Sequence, residues 1–175
     1  MTIKVIQVGV GGFGTTWQHA LTTMPEIDVV ALVDVNQQHL ENAAQVLSIA
    51  PDRCFLSTDQ TWADMEADVV IDSSPHLYHY EHAKKTFATN KHLVVVKPMS
   101  DAWHTALAMV QEAAYRNLKM VVAQQLRFHP VILKIRELVQ SGILGQVGFI
   151  QQDMFFGRDG YGGTFPQPQP VLLQA

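Results

Sequence analysis

Short apolar runs alternate with longer amphipathic ones along most of the chain. The first run is Ile3, Val5, Ile6 and Val8, a pattern suited to a strand buried on both faces. Residues 12–24 then read as a helix closed off by Pro25. Residues 28–33 (Asp-Val-Val-Ala-Leu-Val) are a second buried-strand pattern. Residues 36–49 predict a helix that ends near Pro51. A short, weak strand is expected at 53–56, at a sheet edge, and a helical turn at 58–65. Residues 68–72 (Asp-Val-Val-Ile-Asp) form another buried-strand pattern, followed by a helix over 78–89 with Asn90 as its stop. Residues 93–96 predict a strand. Residues 101–116 predict an amphipathic helix with Ala106, Met109, Val110 and Ala113 on one face. A further strand is expected at 120–123. Pro130 starts a helix carrying Ile132, Ile135 and Val139, and Gly142 ends it.

Strands separated by helices imply parallel pairing through right-handed crossovers. The fold class expected is α/β: a Rossmann doubly wound parallel sheet of order 3-2-1-4-5-6, with a stub of a second α+β domain. The pattern changes after residue 145. Residues 146–156 read as one long strand with no helix behind it, whose unpaired edge would invite a homo-oligomer. Glycines 157, 160, 162 and 163 follow, then a Pro/Gln alternation that suggests an extended or disordered tail. The expected organisation is a dinucleotide-binding domain over 1–125, the start of a truncated second domain over 126–163, and a tail over 164–175.

The first strand runs straight into Gly9-Val10-Gly11-Gly12-Phe13-Gly14, and Asp34 lies 20 residues after Gly14 at the end of the second strand. This is the G-x-G-x-x-G fingerprint in its strand–turn–helix–strand–acid setting. Gly9 allows a tight turn. Gly11 lets the backbone approach a pyrophosphate, and Gly14 lets the helix pack close to the strand. The helix N-terminus, with Gly12 and Phe13, then faces the phosphates. Asp34 either accepts hydrogen bonds from an adenosine ribose or caps the next helix, a duty Asn36 can serve equally well. A carboxylate there repels a 2′-phosphate by roughly 3 kcal/mol per charge at ~5 Å and an effective dielectric of ~20. Val35, Asn36 and Gln37 bring no cation, so the expected cofactor is NAD (NADH) over NADP(H).

Composition narrows the class. The chain has 175 residues, 47% hydrophobic and 16% charged, which fits one globular domain with room for a stub of another. A net charge of −4 without a basic stripe argues against nucleic acid. One cysteine, Cys54, excludes an internal disulfide and suits a reducing, cytoplasmic setting. No signal-peptide pattern opens the chain, and no apolar run reaches membrane-spanning length. There is no G-x-S-x-G and no P-loop lysine motif to suggest a serine hydrolase or an NTPase.

In an open parallel sheet, ligands bind beyond the carboxyl ends of the strands. Ser73-Ser74-Pro75-His76 and Lys97-Pro98 are expected at that edge, beside the glycine turn and Asp34. Lys97 can stabilise a developing alkoxide and move a proton, with partial burial tuning it, or it is a solvated lysine closing a strand. Ser73 and Ser74 either bind a ribose or serve the turn. His76, His79 and His82 recur every third residue. Without an H-E-x-x-H motif or a cysteine companion they argue against a metal. His76 and His79 are expected to face the nicotinamide or substrate cleft, and His82 the solvent. Arg127 either touches substrate or ties a loop to a helix, the structural role being favoured. The tryptophans at 17, 62 and 103 are expected to pack.

Taken together, the glycine turn, Asp34, Ser74-Pro75 with His79, Val96-Lys97-Pro98, Arg127-Phe128-His129-Pro130 and Gly142-Ile143-Leu144-Gly145 resemble the glucose–fructose oxidoreductase/inositol dehydrogenase (Gfo/Idh/MocA) family over residues 3–150. The resemblance implies a nicotinamide-dependent dehydrogenase acting on a small-molecule sugar, polyol or related secondary alcohol, with Lys97 as the catalytic lysine. Val96 departs from the family's Glu-Lys-Pro triplet, and the family's large substrate domain is not in this chain. Both departures keep open an alternative, a non-catalytic NAD-binding regulatory protein or an inactive fragment.

Overall fold

The computed structural model describes residues 2–56, 65–151 and 153. Its centre is a six-stranded sheet of order β3-β2-β1-β4-β5-β6, built from β1 (Ile3–Val8), β2 (Ile27–Val33), β3 (Cys54–Phe55), β4 (Val69–Asp72), β5 (His92–Val96) and β6 (Met120–Ala123). Every pairing is parallel. This is the doubly wound Rossmann order expected from the alternating pattern.

Alternation along β1 sends side chains to opposite faces of the sheet. Ile6 and Val8 join Val70, Leu93 and Val95 in one core cluster. That cluster is covered by α3 (His79–Ala88) through Ala83 and Phe87, and by α4 (Trp103–Tyr115) through Met109 and Ala113. Val5 and Ile71 belong to the other cluster, covered by α1 (Gly14–Leu21) through Leu21 and by α2 (Gln37–Leu47) through Leu40 and Ala43. Each fully buried aliphatic or phenylalanine side chain contributes about 1.5–3 kcal/mol. With apolar side chains needed on both faces, the central strands show the near-continuous hydrophobic runs seen in the sequence.

Several boundaries move. The first helix begins at Gly14 rather than residue 12, because residues 9–13 are spent on the turn. α2 stops at Leu47, where Ser48 adopts a left-handed conformation with φ 56°. Asn90 ends α3 in the same way, with φ 55°. Val110 does not belong to the buried stripe of α4: it is 48% exposed, and Met109 and Ala113 carry the packing.

The chain divides into two compact units, the first running to Phe128 and the second beginning at His129. In the second, α5 (Pro130–Gln140) starts at its proline, with the His129 ring accepting from the Val131 N–H. Residues 146–150 are not a strand. A strand needs a neighbour for its backbone donors and acceptors. No described strand pairs with these residues, so the edge on which the homo-oligomer was argued is absent from them. The rest of that expected strand beyond residue 153, the helical turn at 58–65 except Met65, and the tail at 164–175 lie outside the described residues. Among the described residues no helix is long and apolar enough to cross a membrane.

Candidate functional site

Strand register brings the predicted segments to one edge. Val8 is level with Val33 on one side and Asp72 on the other. Asp72 is level with Val95. The residues that follow these strands, Gly9, Asp34, Ser73 and Lys97, therefore emerge together at the carboxyl end of the sheet.

The glycine turn is held by close backbone approaches. Gly9 has φ +75°, and a Cβ there would lie 2.5 Å from Ser74 N and 2.7 Å from Ser73 C. A Cβ on Gly14 would overlap the Gly9 carbonyl oxygen. Buried Gln7 donates from Nε2 to the Gly14 carbonyl at 2.9 Å, tying the start of α1 to the central strand. The N–H groups of Gly12 and Phe13 have no acceptor among the described residues. They sit at the positive end of α1, as an anion site requires.

Asp34 is locked onto this turn. Its Oδ2 accepts from Val10 N at 2.8 Å and Gly11 N at 3.2 Å, and its Oδ1 accepts from Asn36 N at 2.9 Å. The α2 cap is Asn36, whose side chain accepts from His39 N. Three of the carboxylate's roughly four acceptor positions are thus filled by backbone amides. The capping alternative for Asp34 is not what the structure shows.

The β4 edge is a polar cluster. Ser73 donates from Oγ to the Gly9 carbonyl at 2.7 Å, so its hydroxyl is spent joining the two turns. Ser74 donates to Asp72 Oδ1 through both N (3.0 Å) and Oγ (2.6 Å). Asp72 Oδ2 lies 2.9 Å from His82 Nδ1. Burial pushes the Asp72 carboxyl up, but the His82 hydrogen bond and charge, the His79 charge and the Ser74 hydroxyl outweigh it. The group is held below the usual carboxylate range.

Two histidines differ from expectation. His82 is not at the surface: it is 8% exposed and packs beside Asp72, because α3 turns it inward. His79 does not face the cleft: it is fully buried, with Nε2 2.8 Å from the Ser74 carbonyl and Nδ1 3.0 Å from the Pro98 carbonyl. Pro75 and His76 are exposed at the edge.

Lys97 is exposed rather than partly buried, and its side chain has no partner among the described residues. It is joined to Pro98 by a cis peptide. Val96, before it, is buried as the last residue of β5. Arg127 lies beyond the carboxyl end of β6 in the short 3-10 turn Gln125–Phe128. Its side chain is exposed and tied to nothing among the described residues, so the favoured structural role is not seen.

Two elements escaped sequence reasoning. His39 stacks against the turn where a Gly11 Cβ would sit, with Nδ1 3.6 Å from Asp34 Oδ1. Its position three residues after the Asn36 cap, on the first turn of α2, was the available signal. The Asp72–His82 pair had a weaker one, an acid at a strand's end and a histidine ten residues on. The donors and glycine spaces of this edge fit a dinucleotide: free amides at a helix N-terminus, an acid at β2 and an unpaired lysine at β5.

Comparison with known proteins agrees. A glucose-6-phosphate 3-dehydrogenase of Bacillus subtilis is 24% identical over 144 residues, 82% of this chain and 40% of that protein. An uncharacterised protein of Sinorhizobium fredii is 27% identical over 156 residues, 86% of this chain and 43% of that one. The chain thus spans less than half the length of these relatives. The structure of scyllo-inositol dehydrogenase from Lactobacillus casei, with NAD(H) and scyllo-inositol bound, superposes with a TM-score of 0.78 at 24% identity, over 83% of this chain and 43% of that one. At that identity the likeness speaks for the fold. The family match covers residues 3–124, and by it the chain belongs to the Gfo/Idh/MocA oxidoreductase family, with its NAD-binding Rossmann fold.

Proposed function

We propose that this chain carries the cofactor-binding, proton-transferring part of an NAD-dependent dehydrogenase acting on a secondary alcohol of a sugar, polyol or related compound. The observation that carries the reading is the meeting of the glycine turn, Asp34 and an exposed, unpaired Lys97 at one edge of the sheet. The sugar and polyol dehydrogenases among its relatives support the substrate class.

When bound, the nicotinamide supplies or takes up the hydride. The turn's free amides at Gly12 and Phe13 would hold phosphate oxygens, and Asp34 would accept from a ribose hydroxyl at its remaining acceptor position. Lys97 Nζ gives a proton to the oxygen of a ketone as its carbon is reduced, and takes it back in the oxidative direction. Ser74, Pro75 and His76 line the nicotinamide side, and Arg127 is a second candidate for contact with substrate. Asp34 favours NAD(H) over NADP(H).

Titration with NADH and NADPH tests the binding claim, which equal affinities would refute. Steady-state assays over sugars and polyols test the chemistry. Lys97→Ala is expected to lower kcat by about 10²–10⁴-fold. Full activity in that variant would remove Lys97 from the mechanism. The buried apolar Val96 favours a second reading, a non-catalytic NAD-binding protein. It predicts NADH binding with no turnover of any substrate.

A further inference from the structure

We propose that His79 is a buried, doubly protonated clamp that positions the Lys97 turn against the Ser74 turn. The inference rests on the reading of Lys97 given above, and deepens it. His79 is the first residue of α3, yet its ring is fully buried between two loops that follow different strands. Nε2 is 2.8 Å from the Ser74 carbonyl oxygen, beyond β4. Nδ1 is 3.0 Å from the Pro98 carbonyl and 3.3 Å from the Met99 carbonyl, beyond β5. All three partners are backbone oxygens, which only accept. A ring with one proton donates at one end and sets lone pair against lone pair at the other. Only the ring carrying both protons donates to both loops.

A buried cation needs a nearby anion. Asp72 supplies it. This carboxylate on β4 is itself fully buried and is bonded to Ser74 and His82. Among the described residues the ring's hydrogen-bond partners are the Ser74, Pro98 and Met99 carbonyls, and His82 follows three residues on along the same helix. The His79 charge in turn helps keep Asp72 ionised. The arrangement holds the carbonyl next after Lys97 at a set distance from Ser74. It therefore sets where the lysine stands relative to the nicotinamide side of the cleft. His79 touches neither cofactor nor substrate; it acts through the Lys97-Pro98 turn.

Nitrogen-15 NMR of the histidine rings in the intact chain decides the protonation claim. In a spectrum at neutral pH, both His79 ring nitrogens are expected to carry a proton, as their carbonyl partners require. A His79 nitrogen without a proton in that spectrum overturns the clamp. A second measurement tests positioning. His79→Gln keeps a donor but cannot reach both loops. It is expected to weaken NADH binding about tenfold, the equivalent of one charge-assisted hydrogen bond, while AMP binding at the adenosine end is unchanged. Equal loss of both, or no loss of either, overturns the positioning role. If the variant does not fold, the ring spectrum of the natural chain still decides. Failure of the wild type to bind NADH would instead refute the cofactor reading, and leaves the ring result standing.

Discussion

Replacing Gly9 with alanine tests whether the site is assembled by the close approach of two turns. The residue sits at φ +75°, where an L side chain costs roughly 1–2 kcal/mol. The added methyl would also lie 2.5 Å from Ser74 N and 2.7 Å from Ser73 C, both backbone atoms that cannot rotate away. Overpacking of that kind costs about 1–3 kcal/mol more, for a total of about 2–5 kcal/mol. Gly12 provides the control. It has φ +48°, but nothing lies within 4 Å of its Cβ position, so Gly12→Ala bears the conformational cost alone. Urea unfolding followed by tryptophan fluorescence reads the difference. With a denaturant slope of about 2 kcal/mol per molar, Gly9→Ala moves the midpoint down by about 1–2.5 M and Gly12→Ala by about 0.5–1 M. NADH affinity falls with Gly9→Ala, because the methyl drives the glycine turn away from Ser74. Identical midpoints for the two variants would show that the Ser73–Ser74 approach does not require Gly9.

Two further perturbations address the carboxylates. Asp72 is held below the usual carboxylate range in the fold, so the stability it contributes is present above the unfolded value near pH 4 and is lost as pH falls through the lower folded value. Asp72→Asn should therefore lower the urea midpoint at pH 7 and flatten its decline on acidification; parallel pH profiles for the two proteins would contradict the pairing with His82. Asp34→Ala removes an acceptor from three backbone N–H groups, at a cost of about 1–3 kcal/mol, and should narrow the gap between NADH and NADPH affinities. An unchanged ratio measured by calorimetry would separate Asp34 from cofactor choice.

The sheet was legible because its signal is redundant. Four of its strands, β1, β2, β4 and β5, are apolar runs covered on both faces, and the glycines and acids fall where strands end. The ends of helices were less so. Whether residues 12 and 13 join α1 depends on the turn closing over Asp34 and Ser73, contacts made by residues distant in sequence. Residues 146–150 show the converse error. Their strand-like pattern is local, but a strand exists only where a neighbour offers its hydrogen bonds, and none is described there.

The histidines mark the deeper limit. Periodicity places an apolar residue inward because burial favours it whatever its neighbours are. A polar side chain goes inward only when specific partners wait for it, and no period records those partners. His76, His79 and His82 share a spacing of three, yet one is exposed, one spans two backbone turns and one pairs with Asp72. Asp34 and Asp72, each at a strand's end, follow the same rule: Asp34 Oδ2 is claimed by the glycine turn and Oδ1 by Asn36 N, while Asp72 is claimed by Ser74 and His82. The polar cluster behind the cleft thus holds the turns in place through buried bonds. Lys97, which has no such bond among the described residues, is exposed at the same edge, as the proton transfer proposed for it requires. The proposed proton transfer needs both kinds of residue: fixed groups to define the geometry, and one unspent group to act within it.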